Sequence, residues 1–201
     1  MLVLDLFCGT KSLKPYVEKK GWDYIGLDNE EKHNPEILKD FLEWDYTSVN
    51  PDIIWASPDC AVYSMLAGNR HFDINRQPKT EKAKIQLKLL DKLKKCINYH
   101  VSKNPNVIFF IENPTARLVW FITEYPRYDV SYCKYGFDRM KPTTIWTNKK
   151  GFTPKRCKNG NPDCHHLKTP RGCRTHGTQA IAKFERYKVP AKLIEDLFKD
   201  I

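Results

Sequence analysis

Short apolar runs recur along the first 147 residues, and this recurrence limits the fold more than any other feature of the chain. The runs occupy positions 2–7, 22–28, 53–56, 107–111, 128–132 and 143–147. Runs of this length that are rich in β-branched and aromatic residues are typical of buried strands. Helical or turn segments separate most of them, which indicates an α/β fold with a mostly parallel sheet.

Two segments between these runs have helical patterns. Residues Leu13 to Lys20 follow a glycine turn, and Ser12 is the predicted N-cap of a short helix there. From Thr80 to Asn104, apolar residues recur every three or four positions and lysines fill the other faces. We therefore expect a long amphipathic helix, capped by Thr80, that packs on the sheet.

A cysteine follows the third apolar run. Pro58 ends that run, because proline cannot continue a central strand, and Cys60 comes two residues later. Open α/β folds place ligands and reacting groups at the carboxyl ends of their strands. Cys60 is therefore a candidate nucleophile, although a single Pro-x-Cys is more often a small buried hydrophobic residue.

The first two runs end in residues that suit a nucleotide-like ligand. Cys8 and Gly9 lie in a turn between a strand and a helix, a layout that binds anionic or polar groups at the helix N-terminus. Asp28 ends the second run, where a carboxylate can accept hydrogen bonds from ribose hydroxyls. An ordinary βα turn and a capping aspartate are the alternatives, and these residues alone leave both open.

An acid and an amide follow the most apolar run of the chain. Glu112 and Asn113 come directly after residues 107–111 and are followed by Pro114. Polar groups at the end of a buried strand are costly unless they bind or pair with something, which favours a functional role. Residues 68–78, which follow the Cys60 segment, are polar and irregular, and we expect either a surface loop or a mobile lid there.

The chain carries a formal net charge of +10. A strong positive charge is typical of proteins that bind nucleic acid, although many lysines lie between Lys79 and Lys103 and can instead form the solvated face of a helix. No apolar run is long enough to span a membrane, and Met1 to Phe7 lacks the features of a signal peptide. We therefore expect an intracellular protein, in a prokaryotic cytoplasm, a viral factory or a nucleus, whose seven cysteines stay reduced.

In their joint order and spacing, these motifs resemble those of the cytosine-5 DNA methyltransferases, above all the small viral and phage members. The resemblance covers residues 2–148 and the chain from 186 onward. The matching blocks are Asp5-Leu6-Phe7-Cys8-Gly9-Thr10, Asp28, Asp40-Phe41, Ser57-Pro58-Asp59-Cys60, Glu112-Asn113-Pro114, Tyr135-Gly136 with Arg139 and Lys141, and the closing segment 186–193. It implies an α/β fold, namely a Rossmann-like class I methyltransferase sheet with helices on both faces, plus a small Cys/His-rich appendage.

The resemblance also implies the role of each residue. Cys60 would add to carbon 6 of a flipped-out cytosine in double-stranded DNA, and Glu112 would donate a proton to ring nitrogen 3. Either Arg139 or Lys141 would hold the carbonyl oxygen of the base, and Asn113 would contact the DNA. S-adenosylmethionine would be the cofactor, held by residues near the first two strands and the nucleophile: Phe7, Cys8, Gly9, Thr10, Asp28, Asp40, Phe41 and Pro58.

Two residues depart from the family pattern. Lys11 stands where many members have a second glycine, so the cofactor loop is expected to be wider or partly filled. Asp59 replaces the second proline of the nucleophile motif. Its negative charge would raise the pKa of the neighbouring thiol unless the carboxylate points away or pairs with a cation.

From the resemblance we expect the chain to divide into a catalytic core (1–149), a short Cys/His-rich basic segment (150–185) and a C-terminal helix that returns to the core (186–201). The middle segment is poor in apolar residues and needs another means of stabilisation. A Cys3His zinc site is one solution, with His165 or His166 able to replace one ligand, and a disordered basic loop is the alternative. The predicted ligands are Cys157, Cys164, Cys173 and His176. Because this segment lies where the family keeps its target-recognition region, we expect its cations to bind DNA phosphates: Lys155, Arg156, Lys158, Arg171 and Arg174.

Three functions are compatible with these features. The first is an active DNA methyltransferase, the second is a methyltransferase-like nucleic-acid-binding protein that has lost turnover, and the third is an RNA cytosine-5 methyltransferase. Lys11 and Asp59 motivate the second. The joint presence of Cys60, Glu112 and Arg139 favours the first, because a binding protein has no need of all three.

Overall fold

The computed structural model describes residues 1–170 and 177–201. Its centre is a sheet of seven strands: β1 (Leu2–Leu6), β2 (Asp23–Asp28), β3 (Ile37–Leu38), β4 (Ile53–Ala56), β5 (Ile108–Pro114), β6 (Arg127–Ser131) and β7 (Pro142–Thr147). The strand order is β3-β2-β1-β4-β5-β7-β6. Strands β1 to β5 are parallel, and β7 runs antiparallel to both of its neighbours. The prediction of a mostly parallel sheet is confirmed.

The register of the central strands determines which residues meet at the carboxyl edge of the sheet. Leu6 pairs with Ala56, and Ala56 pairs with Ile111. The residues that follow these positions therefore leave three adjacent strands at the same height. This register brings the cofactor-like turn after β1, the nucleophile segment after β4 and Glu112 of β5 to one place.

Within residues 1–170 and 177–201, four α-helices accompany the sheet: α1 (Lys14–Lys19), α2 (Glu81–Lys103), α3 (Lys183–Tyr187) and α4 (Ala191–Leu197). Strand side chains alternate between the two faces of a sheet, so neighbouring residues of β4 enter different clusters. Ile54 packs with the buried residues of α2, whereas Trp55 packs with those of α1 and α4. Helices therefore cover both faces of the sheet, and the predicted α/β fold with helices on both faces is confirmed.

One of the two predicted helix caps is confirmed and the other is wrong. The Thr80 side chain accepts a 3.3 Å hydrogen bond from the Ala83 N–H and caps α2. Helix α1 begins one residue later than the predicted helix, with Leu13 at the N-cap position and no side-chain cap. The Ser12 hydroxyl instead accepts a 3.0 Å hydrogen bond from the Val189 N–H, which ties the start of α1 to the segment before α4.

Helix α4 lies against the face of the sheet opposite α2. Its residues Leu193, Ile194 and Leu197 are fully buried. Phe198, which follows the helix, stacks on Phe110 of β5 with a centroid separation of 5.4 Å. Among the helices of residues 1–170 and 177–201, none has both the length and the apolarity that crossing a bilayer requires.

Candidate active site

A cavity of about 860 Å³ opens at the carboxyl edge of the sheet. A volume of several hundred Å³ is typical of sites that bind cofactors and small substrates. The loops after β1, β2, β4 and β5 meet around it. Most of the predicted site residues line this one cavity: Phe7, Cys8, Gly9, Thr10, Asp28, Asp40, Phe41, Pro58, Cys60, Glu112, Asn113 and Lys141.

The loop after β1 has an alternating backbone conformation. Phe7, Gly9 and Lys11 all have positive φ, of 61°, 44° and 50° respectively. Lys11 thus adopts the left-handed conformation that glycine favours, which preserves the turn despite the substitution. Its side chain leaves the loop and forms a 3.0 Å ion pair with Glu36. Lys11 does not line the cavity, so it does not fill the loop.

The carboxylates beside this loop are fixed by backbone donors. Asp28 accepts from the Gly9 N–H at 3.0 Å and from the Glu30 N–H at 2.9 Å, and Asp40 accepts from the Leu42 N–H at 2.8 Å. A carboxylate can accept about four hydrogen bonds, so both keep acceptor capacity toward the cavity. Hydroxyl groups of a ribose and an amine of an adenine are suitable donors.

An aromatic pair completes this side of the cavity. The Phe7 and Phe41 rings form an edge-to-face contact with centroids 5.1 Å apart. They provide an apolar wall beside the acceptors of Asp28 and Asp40. This combination of a left-handed turn, two anchored carboxylates and two aromatic rings fits the adenosine part of S-adenosylmethionine.

Asp5 is a buried cavity residue that was not among the predicted site residues. Only 2 % of it is exposed, and it lines the same cavity. Burial raises the pKa of its carboxyl to about 7, while a 2.7 Å hydrogen bond from the Tyr24 hydroxyl acts in the opposite direction. An acid inside an otherwise apolar strand is the sequence signal that identifies it.

Asn113 positions the nucleophile segment. Its side-chain amide donates a 2.8 Å hydrogen bond to the Pro58 carbonyl oxygen, and only 1 % of the residue is exposed. Its Oδ1 atom is buried without a hydrogen-bond partner among the described residues. The end of β5 therefore holds the backbone of the loop that carries Cys60.

Charged neighbours act on the Cys60 thiol in opposite directions. Burial raises its pKa most, the carboxylates of Asp59 and Glu112 raise it further, and the Lys141 ammonium lowers it. The second thiol of the cavity, Cys8, is surrounded by carboxylates, and burial with these charges raises its pKa to about 12. A cation lowers the pKa of each thiol in part: Lys11 acts on Cys8 and Lys141 on Cys60.

The Asp59 carboxylate is paired with a cation. One oxygen accepts from the Ala61 N–H at 2.9 Å, and the other lies 3.2 Å from the Lys82 Nζ atom on α2. The Lys82 cation offsets part of the Asp59 charge, although Asp59 still raises the pKa of Cys60. Lys82 was not identified from the sequence, because its lysine-rich helix gives no sign of which lysine faces the nucleophile.

Glu112 is 6 % exposed and has a dedicated hydrogen-bond donor. The Tyr132 hydroxyl donates to its Oε1 atom at 2.7 Å. Burial raises the pKa of Tyr132 well above its usual value, so this hydroxyl stays a neutral donor. The Lys141 Nζ atom lies 4.5 Å from the centroid of the Tyr132 ring and donates to the Arg186 carbonyl oxygen at 3.0 Å.

The two candidate cations of the turn before β7 are placed differently. Lys141 lines the cavity, whereas Arg139 is not among the residues that line it. One terminal nitrogen of Arg139 lies 3.4 Å from the Asp138 carbonyl oxygen. Its Nε atom is buried without a hydrogen-bond partner in the part of the chain that the structure describes.

Residues 68–78 were predicted to be a loop or lid beside Cys60, and they are part of an irregular segment that begins with a 3-10 turn at Met65–Arg70. Arg117, which is 7 % exposed, donates from one nitrogen to the carbonyl oxygens of Ser64 and Gly68. Phe72 anchors the middle of the segment, with its ring 4.9 Å from that of Phe121. Arg117 was not identified from the sequence.

Among the described residues, four potential metal ligands come together outside the active-site cavity. The ligand atoms of Cys133, Cys157, Cys164 and His166 all lie within 4.8 Å of one another. Cys157 and Cys164 were predicted ligands and His166 a substitute, but Cys133 was not identified. The remaining predicted ligands, Cys173 and His176, lie outside the described residues.

Two of the cations that were predicted to contact DNA form exposed ion pairs. Lys155 lies 2.6 Å from Asp196, and Arg156 lies 3.7 Å from Asp129. Neither residue lines the cavity. Two other predicted contacts, Arg171 and Arg174, lie outside the described residues.

A curated viral protein is similar to this chain over nearly its whole length. It is described as "Probable DNA (cytosine-5)-methyltransferase" of Frog virus 3 (isolate Goorha), and it is 34% identical over 220 aligned positions that cover 98% of each chain. The chain belongs to the cytosine-5 DNA methyltransferase family. It is therefore a cytosine-5 methyltransferase that depends on S-adenosylmethionine, and the predicted family is confirmed.

Two solved structures are also similar to this methyltransferase. The S. pombe Dnmt2 methyltransferase has a TM-score of 0.48 and 12% identity, with 77% of this chain and 53% of that one covered. A Spodoptera frugiperda DNMT2 mutant has a TM-score of 0.40 and 17% identity, with 83% and 56% covered. The methyltransferase thus spans about half the length of each. No model of a protein family matches the chain.

Proposed function

We propose that this methyltransferase methylates carbon 5 of cytosine in double-stranded DNA through a covalent bond to Cys60. The observation that carries the proposal is the convergence of Cys60, Glu112 and Lys141 on one cavity, next to the residues that fit the cofactor. The net charge of +10 supports a nucleic-acid substrate. The viral relative, by its name, acts on DNA.

Cys60 supplies the nucleophile. Carbon 5 of cytosine is a poor nucleophile until a thiolate adds at carbon 6, so the reaction needs a cysteine at this position. The Lys141 ammonium favours the thiolate form of Cys60. Asn113 holds the loop that carries the thiol, through its hydrogen bond to the Pro58 carbonyl oxygen.

Glu112 and Lys141 stabilise the ring once the thiolate has added. Addition moves electron density toward ring nitrogen 3 and the carbonyl oxygen of the base. Glu112, oriented by the Tyr132 hydroxyl, donates a proton to nitrogen 3 and accepts from the exocyclic amine. Lys141 holds the carbonyl oxygen, and we assign it this role in preference to Arg139 because it lines the cavity.

When bound, S-adenosylmethionine supplies an electrophilic methyl group. Phe7 to Thr10, Phe41 and Pro58 would enclose it, and the carboxylates of Asp28 and Asp40 would accept hydrogen bonds from its hydroxyl and amine groups. After carbon 5 has been methylated, its proton passes to solvent and the bond between carbon 6 and the sulfur breaks, so that Cys60 leaves as a thiolate. The proton on nitrogen 3 then returns to Glu112, which restores the neutral aromatic ring. The cysteine is thus regenerated in each cycle.

The DNA contacts are provided by the basic segment after β7. A base inside a duplex cannot reach the cavity, so the cytosine must be flipped out. Lys155 and Arg156 can exchange their carboxylate partners for phosphates, because exposed ion pairs contribute little stability. The other cations of this segment that we assign to phosphates are Lys158, Arg171 and Arg174.

The test is incubation of the purified protein with tritiated S-adenosylmethionine and duplex DNA. We expect label in 5-methylcytosine with the wild type and with Cys96→Ala, a matched control at a cysteine of α2, and none with Cys60→Ser. Transfer RNA is offered as an acceptor in a parallel incubation. Label in transfer RNA and none in DNA would establish the RNA methyltransferase instead. Binding of the cofactor without transfer to either polymer would establish a binding protein that has lost turnover.

A further inference from the structure

We propose that Cys133, Cys157, Cys164 and His166 bind a structural zinc ion that fastens residues 153–170 to the catalytic core. This site is separate from the active-site cavity, because none of the four residues lines that cavity. Its function is to hold the basic segment in place, and it has no part in the methyl transfer itself.

The spacing of the four ligand atoms fits a tetrahedral ion. In a zinc site with Zn–S bonds of about 2.3 Å and Zn–N bonds of about 2.0 Å, neighbouring ligand atoms are roughly 3.5 to 3.8 Å apart. The Sγ atom of Cys157 lies 3.8 Å from the Nδ1 atom of His166, and all four ligand atoms lie within 4.8 Å of one another. A contraction of less than about 1 Å therefore closes the site.

The chemistry of the ligands selects zinc. Three thiols and one imidazole form a soft ligand set, which suits zinc and not magnesium or calcium. The three cysteines are all free thiols, and none of them is oxidised to a disulfide. A Cys3His set is one of the standard closed sites, in which the ion has a structural role.

The burial pattern explains why the segment needs an ion. From position 153 to 170, His166 is the one residue that is buried, at 4 % exposure. A polar ring thus occupies the place that an apolar anchor would take in an ordinary loop. Thiols form only weak hydrogen bonds, so these four side chains hold the segment firmly only when they share a metal ion.

Backbone hydrogen bonds place the ligands from both sides. The Cys157 N–H donates to the Ser131 hydroxyl at 3.0 Å, and the Ser131 N–H donates to the Lys155 carbonyl oxygen at 3.0 Å. These contacts align the segment along the end of β6, two residues before Cys133. The ligands therefore come from two segments of the chain, the end of β6 and residues 153–170, which these hydrogen bonds already hold side by side.

Groups around the ligands can support coordination. The Asn161 side-chain amide lies 3.7 Å from the Cys157 sulfur and can donate to a thiolate there. The Gly160 N–H lies 3.3 Å from the Nε2 atom of His166. Coordination through Nδ1 puts the ring proton on Nε2, which then cannot accept a hydrogen bond. The contact from the Gly160 N–H is therefore lost when the ion binds.

The site also connects the segment to the catalytic residues. Cys133 directly follows Tyr132, whose hydroxyl donates to Glu112. An ion at Cys133 therefore fixes the turn that presents the Tyr132 hydroxyl. Loss of the ion is expected to loosen the basic segment first and this hydrogen bond second.

The test measures the metal content of the full-length protein by mass spectrometry after expression with zinc. We expect about one zinc per chain in the wild type and a loss of most of it in Cys164→Ser and His166→Asn. His165→Asn is the matched control, because His165 forms its hydrogen bond with the Phe137 carbonyl oxygen and is not one of the four ligands. This variant should keep the zinc. Cys173→Ser should keep it as well.

A second measurement uses the wild type alone, so it still tests the site if Cys164→Ser or His166→Asn fails to fold. In the wild type, titration with a mercurial thiol reagent should release the zinc as three thiols react, and Co²⁺ in its place should give the intense absorption of tetrahedral sulfur coordination. A wild type without zinc, after purification and after reconstitution, would overturn the proposal. So would zinc that is retained in His166→Asn and lost in Cys173→Ser. Neither result depends on methyl transfer, so this site and the proposed reaction are tested independently.

Discussion

The Tyr132 hydroxyl donates a 2.7 Å hydrogen bond to the Oε1 atom of Glu112, and both side chains are buried. Tyr132 follows β6, whereas Glu112 lies in β5, and β7 separates these two strands in the sheet. The bond therefore orients the Glu112 carboxyl from outside its own strand. It leaves the second oxygen of Glu112 free of this bond, and in the proposed mechanism that oxygen contacts the cytosine.

Removal of this donor should slow the reaction without affecting the cofactor. Tyr132→Phe leaves Glu112 without its partner, and an unmet buried acceptor costs about 1 to 3 kcal/mol, or roughly five- to 150-fold in rate. We expect kcat to fall by that factor and the Kd for S-adenosylmethionine to stay unchanged. Tyr128→Phe, outside the cavity, is the control. An unchanged kcat in Tyr132→Phe would show that Glu112 needs no orienting donor.

The ion pair between Asp59 and Lys82 should control the reactivity of the thiol. Removal of the Asp59 charge lowers the pKa of Cys60. Removal of the Lys82 cation leaves the Asp59 charge without its partner and therefore raises the pKa of Cys60. At pH 7 to 8 we therefore expect Asp59→Asn to speed alkylation of Cys60 by iodoacetamide and Lys82→Met to slow it. Each change should be about two- to fivefold, because the pair is exposed.

The double variant tests whether the two residues act through each other. In Asp59→Asn combined with Lys82→Met, the alkylation rate should resemble that of Asp59→Asn alone. The ion pair of Asp91 and Lys95, elsewhere on α2, provides the matched control, and Asp91→Asn should leave the rate unchanged. Equal effects of Lys82→Met with and without Asp59 would contradict the proposed screening.

Lys141 should matter more than Arg139. A donor that stabilises developing charge typically contributes about a hundredfold or more to kcat, so Lys141→Gln should lose about that much in single-turnover methyl transfer. Arg139→Gln should lose less than about fivefold, because it does not line the cavity. The reverse order would assign the carbonyl oxygen of the base to Arg139.

Lys11 should be dispensable for cofactor binding. Lys11→Gly removes a side chain that points away from the cavity and suits the φ of 50° at this position, so the Kd for S-adenosylmethionine should change by less than about threefold. Gly9→Val places a β-branched side chain at a φ of 44° within the cavity lining and should weaken binding by about tenfold or more. Calorimetric titration of both variants checks this. A large loss in Lys11→Gly would show that its ion pair with Glu36 shapes the loop.

Much of the fold could be predicted because local patterns determine it. The β-branched runs became β1, β2, β4 and β5, and the three-to-four spacing after Thr80 became α2. The cofactor and nucleophile motifs each follow a strand, and parallel strands place their carboxyl ends at the same edge of a sheet. The order of the motifs along the chain was therefore enough to predict that these residues line one site.

The partners of the site residues could not be predicted, because they depend on packing between distant segments. Cys133 lies 24 residues before Cys157 and joins the cluster only through the register of the chain beside β6. Lys82 is one of many lysines on α2, and its role follows from which face of the helix meets the Asp59 loop. Ser12 looked like a cap from its local position, but its hydroxyl bonds Val189, 177 residues away.

The most direct test of the central claim is to trap the covalent bond between enzyme and DNA. Fluorine at carbon 5 of the target cytosine cannot leave as a proton does, so the thiol cannot be released after methyl transfer. With S-adenosylmethionine and a duplex that contains 5-fluorocytosine, we predict a complex that survives denaturation, with the nucleotide on the Cys60 peptide by mass spectrometry. Cys60→Ser should give none. Methylated DNA from Cys60→Ser, or an adduct on a different cysteine, would contradict the account.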